Sequence, residues 1–132
     1  MYTIPIVSIL IAAVMPLMGA AGAKWGFESY DNNNPRAWLA QQTGFRARSN
    51  AAQANSFEAF PFFASGVLLA LWTHVDANCL NAMCIAFLAF RFAFLWAYLT
   101  DRASLRSAVW GLGYLCCISL FIASISFAQS GS

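Results

Sequence analysis

Residues 4–23 read IPIVSILIAAVMPLMGAAGA, twenty positions without one charged side chain. A helix of that length crosses the hydrocarbon of a bilayer, which takes about 20 predominantly apolar residues. The stretch has no basic leader, and its apolar run exceeds the roughly 7–15 residues usual in a secretory signal. It therefore reads as a retained span, in which neighbouring helices would compensate a kink at Pro16. Three more stretches of the same kind follow. Residues 50–72 carry one charge, Glu58; residues 78–99 carry one, Arg91; residues 107–128 carry none.

Composition points the same way. Of 132 residues, 61% are hydrophobic and 9% charged, against about a quarter charged in a soluble domain. So few charges would not cover a soluble surface. The expected fold is all-α, a four-transmembrane-helix up-down bundle made by one domain over residues 1–132, with short connections that favour antiparallel neighbours. The partner this composition demands is the lipid bilayer, and no nucleic-acid partner is expected.

The net charge of +2 is unevenly spread. Lys24, Arg36, Arg46, Arg48, Arg102 and Arg106 all fall in the segments after the first and third spans, which lie on one side of the membrane. The excess of basic residues on cytoplasmic loops puts these segments in the cytoplasm and both termini outside. Nothing resembles an organelle address, so a bacterial inner membrane is the expected location. The cysteines, Cys79, Cys84, Cys116 and Cys117, form no C-x-x-C pair. They read as small buried hydrophobes, with no metal site.

The one sizeable loop covers residues 24–49. Asn34-Pro35 suits a helix start with Pro at the first helical position, and residues 36–42 are expected to form a short interfacial helix with Trp38 and Leu39 toward lipid. Small residues recur at spacing four, as in Ser107/Gly111 and Gly113/Cys117, and the first span holds Gly19-Ala20-Ala21-Gly22. Such residues let helices approach closely, within one subunit or between subunits.

The informative residues are those that are costly in hydrocarbon. Glu58 and Arg91 each lie about eight residues inside the cytoplasmic end of their spans, hence roughly 12 Å deep at 1.5 Å per residue. At matched depth on adjacent antiparallel helices they are expected to pair. Asn55 and Arg48 share the stripe of Glu58, and Tyr98 follows Arg91 by seven residues. Arg102 and Arg106 stand at the head of the last span, with Ser107 in its first turn. Together these residues would line a cytoplasm-facing cavity, acidic and basic at its floor and basic at its mouth. That suits an amphoteric anion with several carboxylates. Arg102 and Arg106 would bind carboxylates through fork-like hydrogen bonds, Glu58 an ammonium group, and Asn55 a donor or an acceptor. A thiolate would be favoured by nearby arginine and hydroxyl groups. The plainer alternative is that Glu58 and Arg91 hold two helices in register and the edge arginines only set topology.

These residues resemble the MAPEG family, membrane-associated proteins in eicosanoid and glutathione metabolism, from about residue 34 to residue 117. Arg48 through Asn55-Ser56-Phe57-Glu58, followed by Pro61-Phe62, is similar to the family's R-x(6)-N-x-x-E segment and its Pro-Phe. Arg91 with Ala97-Tyr98-Leu99 resembles the family's arginine and downstream tyrosine, and Arg102-Ala103-Ser104-Leu105-Arg106-Ser107 its R-x-x-x-R-S segment. The resemblance implies a homotrimer with glutathione sites between neighbouring subunits, and lipophilic substrates that arrive through the bilayer. Carried over residue by residue, Asn55, Glu58, Arg91 and Tyr98, with Arg48 and Arg102, would bind glutathione as cosubstrate. Arg106 and Ser107 would sit nearest the thiol as the catalytic pair. Arginines that often follow three and six residues after the position of Arg48 are here Ala51 and Ala54, and the histidine of the prostaglandin E synthase branch is Phe94. That branch also has an acidic residue after its Asn-Pro, where this chain has Arg36-Ala37. These departures point to a branch other than prostaglandin E synthase. The expected function is a glutathione transferase or peroxidase acting on lipophilic electrophiles. The alternative is a non-catalytic scaffold or accessory subunit with a membrane-protein partner, and a small transporter ranks third.

Overall fold

The structure, a computed structural model, describes residues 2–24, 26 and 29–130 of the chain. Residues 25, 27 and 28 of the long loop lie outside the described residues. Four helices are long and apolar enough to cross a membrane: α1 (Thr3–Ala23), α3 (Gly44–Trp72), α4 (Ala77–Leu99) and α5 (Ala103–Ser130). A short α2 (Pro35–Ala40) precedes α3, and no strand occurs among the described residues. Inside hydrocarbon every backbone N–H and C=O needs an internal partner, and a helix supplies them all. The chain is an all-helical integral membrane protein.

Two helices run further than their apolar stretches. α3 begins at Gly44, six residues ahead of Asn50, and α5 at Ala103, four ahead of Ser107. Hydropathy marks the part inside the membrane, whereas a helix continues until something stops it. Gly44, in the left-handed region at φ 58°, opens α3. Ser107 therefore sits in the second turn of α5, not the first, and its amide is not among the free donors of the helix start.

The short connections are closed by one device used twice. His74 (φ 57°) and Asp101 (φ 59°) end α3 and α4 in the left-handed region. The next amide then reaches back, Val75 N–H to the Ala70 carbonyl at 3.0 Å and Arg102 N–H to the Ala97 carbonyl at 2.8 Å. This is the usual way of satisfying the last carbonyls of a helix. Asp76 restarts the chain as N-cap of α4, accepting from the amides of Asn78 (3.1 Å) and Cys79 (3.0 Å).

α1 packs chiefly on α3, and α4 on α5. The α1–α3 contact leaves no room for a side chain at two of its glycines. A Cβ on Gly19 would stand 2.8 Å from the backbone N of Gln53, and one on Gly22 2.7 Å from Ser49 Oγ. The small residues of the first span thus serve a contact within the chain. The core is centred on Phe63 and Phe87, whose rings stack at 3.9 Å, with Val67, Leu80 and Leu120 around them. Pro16 is buried inside α1, which continues through it. Large apolar side chains cover the outside, with Leu10 63% and Ile122 59% exposed, the pattern of a surface that faces lipid.

The interfacial helix forms where Asn34-Pro35 places it, but Trp38 does not turn to lipid. It is buried, with the Tyr30 ring edge-on at 5.0 Å and the Arg46 guanidinium at 5.4 Å from its ring. On a helix of six residues Trp38 is the one buried side chain and so the main anchor. Packing that side chain against the protein fixes the helix in place.

Candidate functional site

Arg91 is the most buried charged residue described, 3% exposed in the middle of α4. Its Nη1 donates to Asn55 Oδ1 at 2.9 Å and its Nη2 to Ser56 Oγ at 3.2 Å. The Ser56 hydroxyl in turn donates to the Ala52 carbonyl at 2.9 Å. The Phe94 ring lies 4.3 Å from the guanidinium and covers its far side. The expected Glu58–Arg91 ion pair is not formed among the described residues. Helical geometry gives the reason: at about 100° per residue, Ser56 and Glu58 point some 160° apart around α3. The guanidinium is drawn onto Asn55 and Ser56, and Glu58, which is exposed, lines the same cleft as Arg91 without bonding to it.

Two clefts open beside this cluster. One, of about 250 Å³, is lined by Asn55, Glu58 and Arg91 and walled by Phe62, Trp110 and Tyr114. The other, of about 470 Å³, is more open and lined by Asn55, Phe94, Tyr98, Arg106, Ser107 and Trp110. Asn55 and Trp110 belong to both, so the clefts adjoin. Arg106 stacks on Tyr98, its guanidinium 4.6 Å from the ring centroid. That contact holds the cation over the cleft and leaves its N–H edge for an anion.

Six of the eight residues expected at the site therefore meet around Asn55, and two do not. Arg48 clasps the end of α4, with Nη1 3.9 Å from Asp101 Oδ2 and Nη2 donating to the Leu99 carbonyl at 3.5 Å. Arg102 lines neither cleft and lies over Trp96, 4.7 Å from its ring. Ser56, Trp110 and Tyr114 were not singled out in the sequence. A signal was there for the last two, since Arg106, Trp110 and Tyr114 recur at spacing four and so share a face of α5. Ser56 is one hydroxyl among several within spans, and its role shows only in the pairing of α3 with α4.

The sequence pattern of the MAPEG family matches residues 4–126, nearly the whole chain. The chain belongs to the MAPEG family. Comparison with curated proteins finds no match, and neither does comparison with solved structures.

Proposed function

We propose that the chain binds glutathione in the adjoining clefts and uses it on lipophilic electrophiles delivered by the bilayer. The observation that carries this reading is the meeting of Asn55, Tyr98, Arg106 and Ser107 on one open cleft, next to a second lined by Glu58 and Arg91. Arg91 buries a cation against two neutral acceptors. A buried charge is costly without an opposite one, and an anionic ligand would supply it. Glu58, exposed at the mouth of the smaller cleft, would take the ammonium group. Arg106 and Ser107 would stabilise the thiolate. The aromatic wall of Phe62, Trp110 and Tyr114 would seat the apolar cosubstrate. In transfer, the sulfur bonds to the electrophilic carbon and the leaving group departs with its electron pair. In peroxide reduction, the hydroperoxide becomes an alcohol, and a second glutathione closes the disulfide with release of water.

The proposed assembly is a homotrimer, supported by an exposed carboxylate at membrane depth that a neighbouring subunit would cover. The proposed setting is a bacterial inner membrane, with both termini outside and the basic segments cytoplasmic. One observation favours the scaffold reading: Arg91 and Arg48 spend their hydrogen bonds holding α3 to α4. Titrating the detergent-purified protein with glutathione, following heat and thiolate absorbance together, separates the two. Saturable binding with a thiolate signal is expected. A folded protein that shows no binding at millimolar glutathione is the scaffold outcome.

A further inference from the structure

A third cavity lies apart from the two clefts. It is an apolar groove of about 240 Å³ between α1 and α4, lined by Leu10, Ile11, Val14, Met15, Met18 and Phe92. Leu10, Val14, Met18 and Phe92 are all more than two-fifths exposed. α1 and α4 are the first and third spans and run in the same direction, so the groove lies along the bundle toward the end that carries the basic residues. On α4, Phe92 and Trp96 are four apart and share one face. At 1.5 Å per residue, Phe92 is roughly 10 Å inside the end of the helix at Leu99 and Trp96 about 5 Å. Trp96 is 50% exposed, and the exposed Arg102 folds back over its ring at 4.7 Å. Lys24 ends α1 at the same edge. From midplane to edge this face therefore runs apolar groove, indole, guanidinium.

That order matches one molecule. An acyl chain fits the groove, a Trp suits the depth of the glycerol region, and an arginine at the edge meets a phosphate. We propose that the α1–α4 groove and the Arg102–Trp96 stack bind one anionic phospholipid. The pinned guanidinium, freed of most rotamer entropy by the ring beneath it, gives the site its headgroup contact. Arg102 then acts on the outer face of the bundle and not in the glutathione cleft.

The test is quenching of tryptophan emission in vesicles that contain lipids brominated near the headgroup end of the chain. Brominated phosphatidylglycerol is compared with brominated phosphatidylcholine, and the Trp96 component is the difference between the native protein and Trp96→Phe. The expected result is preferential quenching of that component by the anionic lipid, about fivefold in relative binding constant. The preference should be lost in Arg102→Gln and kept in Arg36→Gln. Equal quenching by the two lipids overturns the proposal. An equal loss in Arg36→Gln also overturns it, because the preference is then general surface attraction. Absence of quenching by either lipid means that a second copy of the chain covers the groove. Lipid co-purified with Arg102→Gln, read by native mass spectrometry, gives a second measure should Trp96→Phe fold poorly: retention at the native level sinks the site.

Discussion

Arg91 of α4 and Asn55 of α3 are joined by a 2.9 Å hydrogen bond from guanidinium Nη1 to side-chain Oδ1. Asn55 also lines both clefts of the candidate site. The residue that satisfies the buried cation is thus the one that faces the proposed ligand, whereas Ser56, the other acceptor, is buried and lines neither. If the clefts hold the proposed ligand, stability and binding would be coupled through Asn55 and not through Ser56.

Asn55→Ala should lower stability by about 1.5–3 kcal/mol, the usual worth of a hydrogen bond to a charged group, and should weaken glutathione binding as well. Ser56→Ala should cost a similar amount of stability with a much smaller effect on binding. Unfolding in detergent and titration calorimetry read the two quantities. Equal losses of binding in both variants would mean that the clefts act only through Arg91.

Gly19→Ala should destabilise the fold by about 1–3 kcal/mol, the cost of overpacking a tight contact. The added methyl meets the backbone of α3, at Gln53 N and the Ser49 carbonyl, which a rotamer change does not relieve. Gly111→Ala is the control, since nothing lies within 4 Å of its Cβ position in this chain. It should be neutral or gain up to ~1 kcal/mol from helix propensity. Thermal unfolding of the two variants in the same detergent makes the comparison.

Arg106→Ala should reduce glutathione-dependent turnover by roughly 100- to 1000-fold, the typical loss on removing one stabiliser of developing anionic charge. The fold should survive, because Arg106 is only half-buried and its described contact is the face of Tyr98. Single-turnover assays with a chromogenic electrophile, paired with helical content, would show it. Unchanged turnover would remove Arg106 from the chemistry.

The loop before α2 should loosen in acid. The Asn34 side chain and the Asn33 amide both donate to the Asp31 carboxylate and hold its pKa below the usual range. A depressed folded value means that this turn contributes fully above the unfolded pKa of about 3.9. The contribution is lost as pH falls through the folded value. Amide exchange of Asn33 and Asn34 followed from pH 6 downward, on the order of one unit per step, should show protection lost below pH 4 and not above it.

Much of the architecture was readable in the residues. The four charge-poor stretches marked the spans, and Asn34-Pro35 marked the start of α2. The limits of α3 and α5 were not, because hydropathy reports where the bilayer is and the helices run past it. The burial of Trp38 was not readable either. Its sequence neighbourhood fits an interfacial anchor as well as a packed one, and only Tyr30 and Arg46 closing around it decide.

For the site, the sequence by itself determined which polar groups lie at membrane depth and on which helix, since depth follows from a fixed rise per residue. It also showed membership in the MAPEG family over residues 4–126, to which Arg48, Asn55, Glu58, Arg91, Tyr98, Arg102, Arg106 and Ser107 in order gave the resemblance. What only the tertiary structure decided is how each helix is turned about its own axis. That rotation is set by packing, chiefly Gly19 and Gly22 against α3 and Phe63 on Phe87. It gives Arg91 to Asn55 and Ser56 instead of Glu58, brings Trp110 into both clefts, and carries Arg102 out onto Trp96. Equal depth brings two side chains to the same level of a bundle, and only the facing of their helices makes them partners.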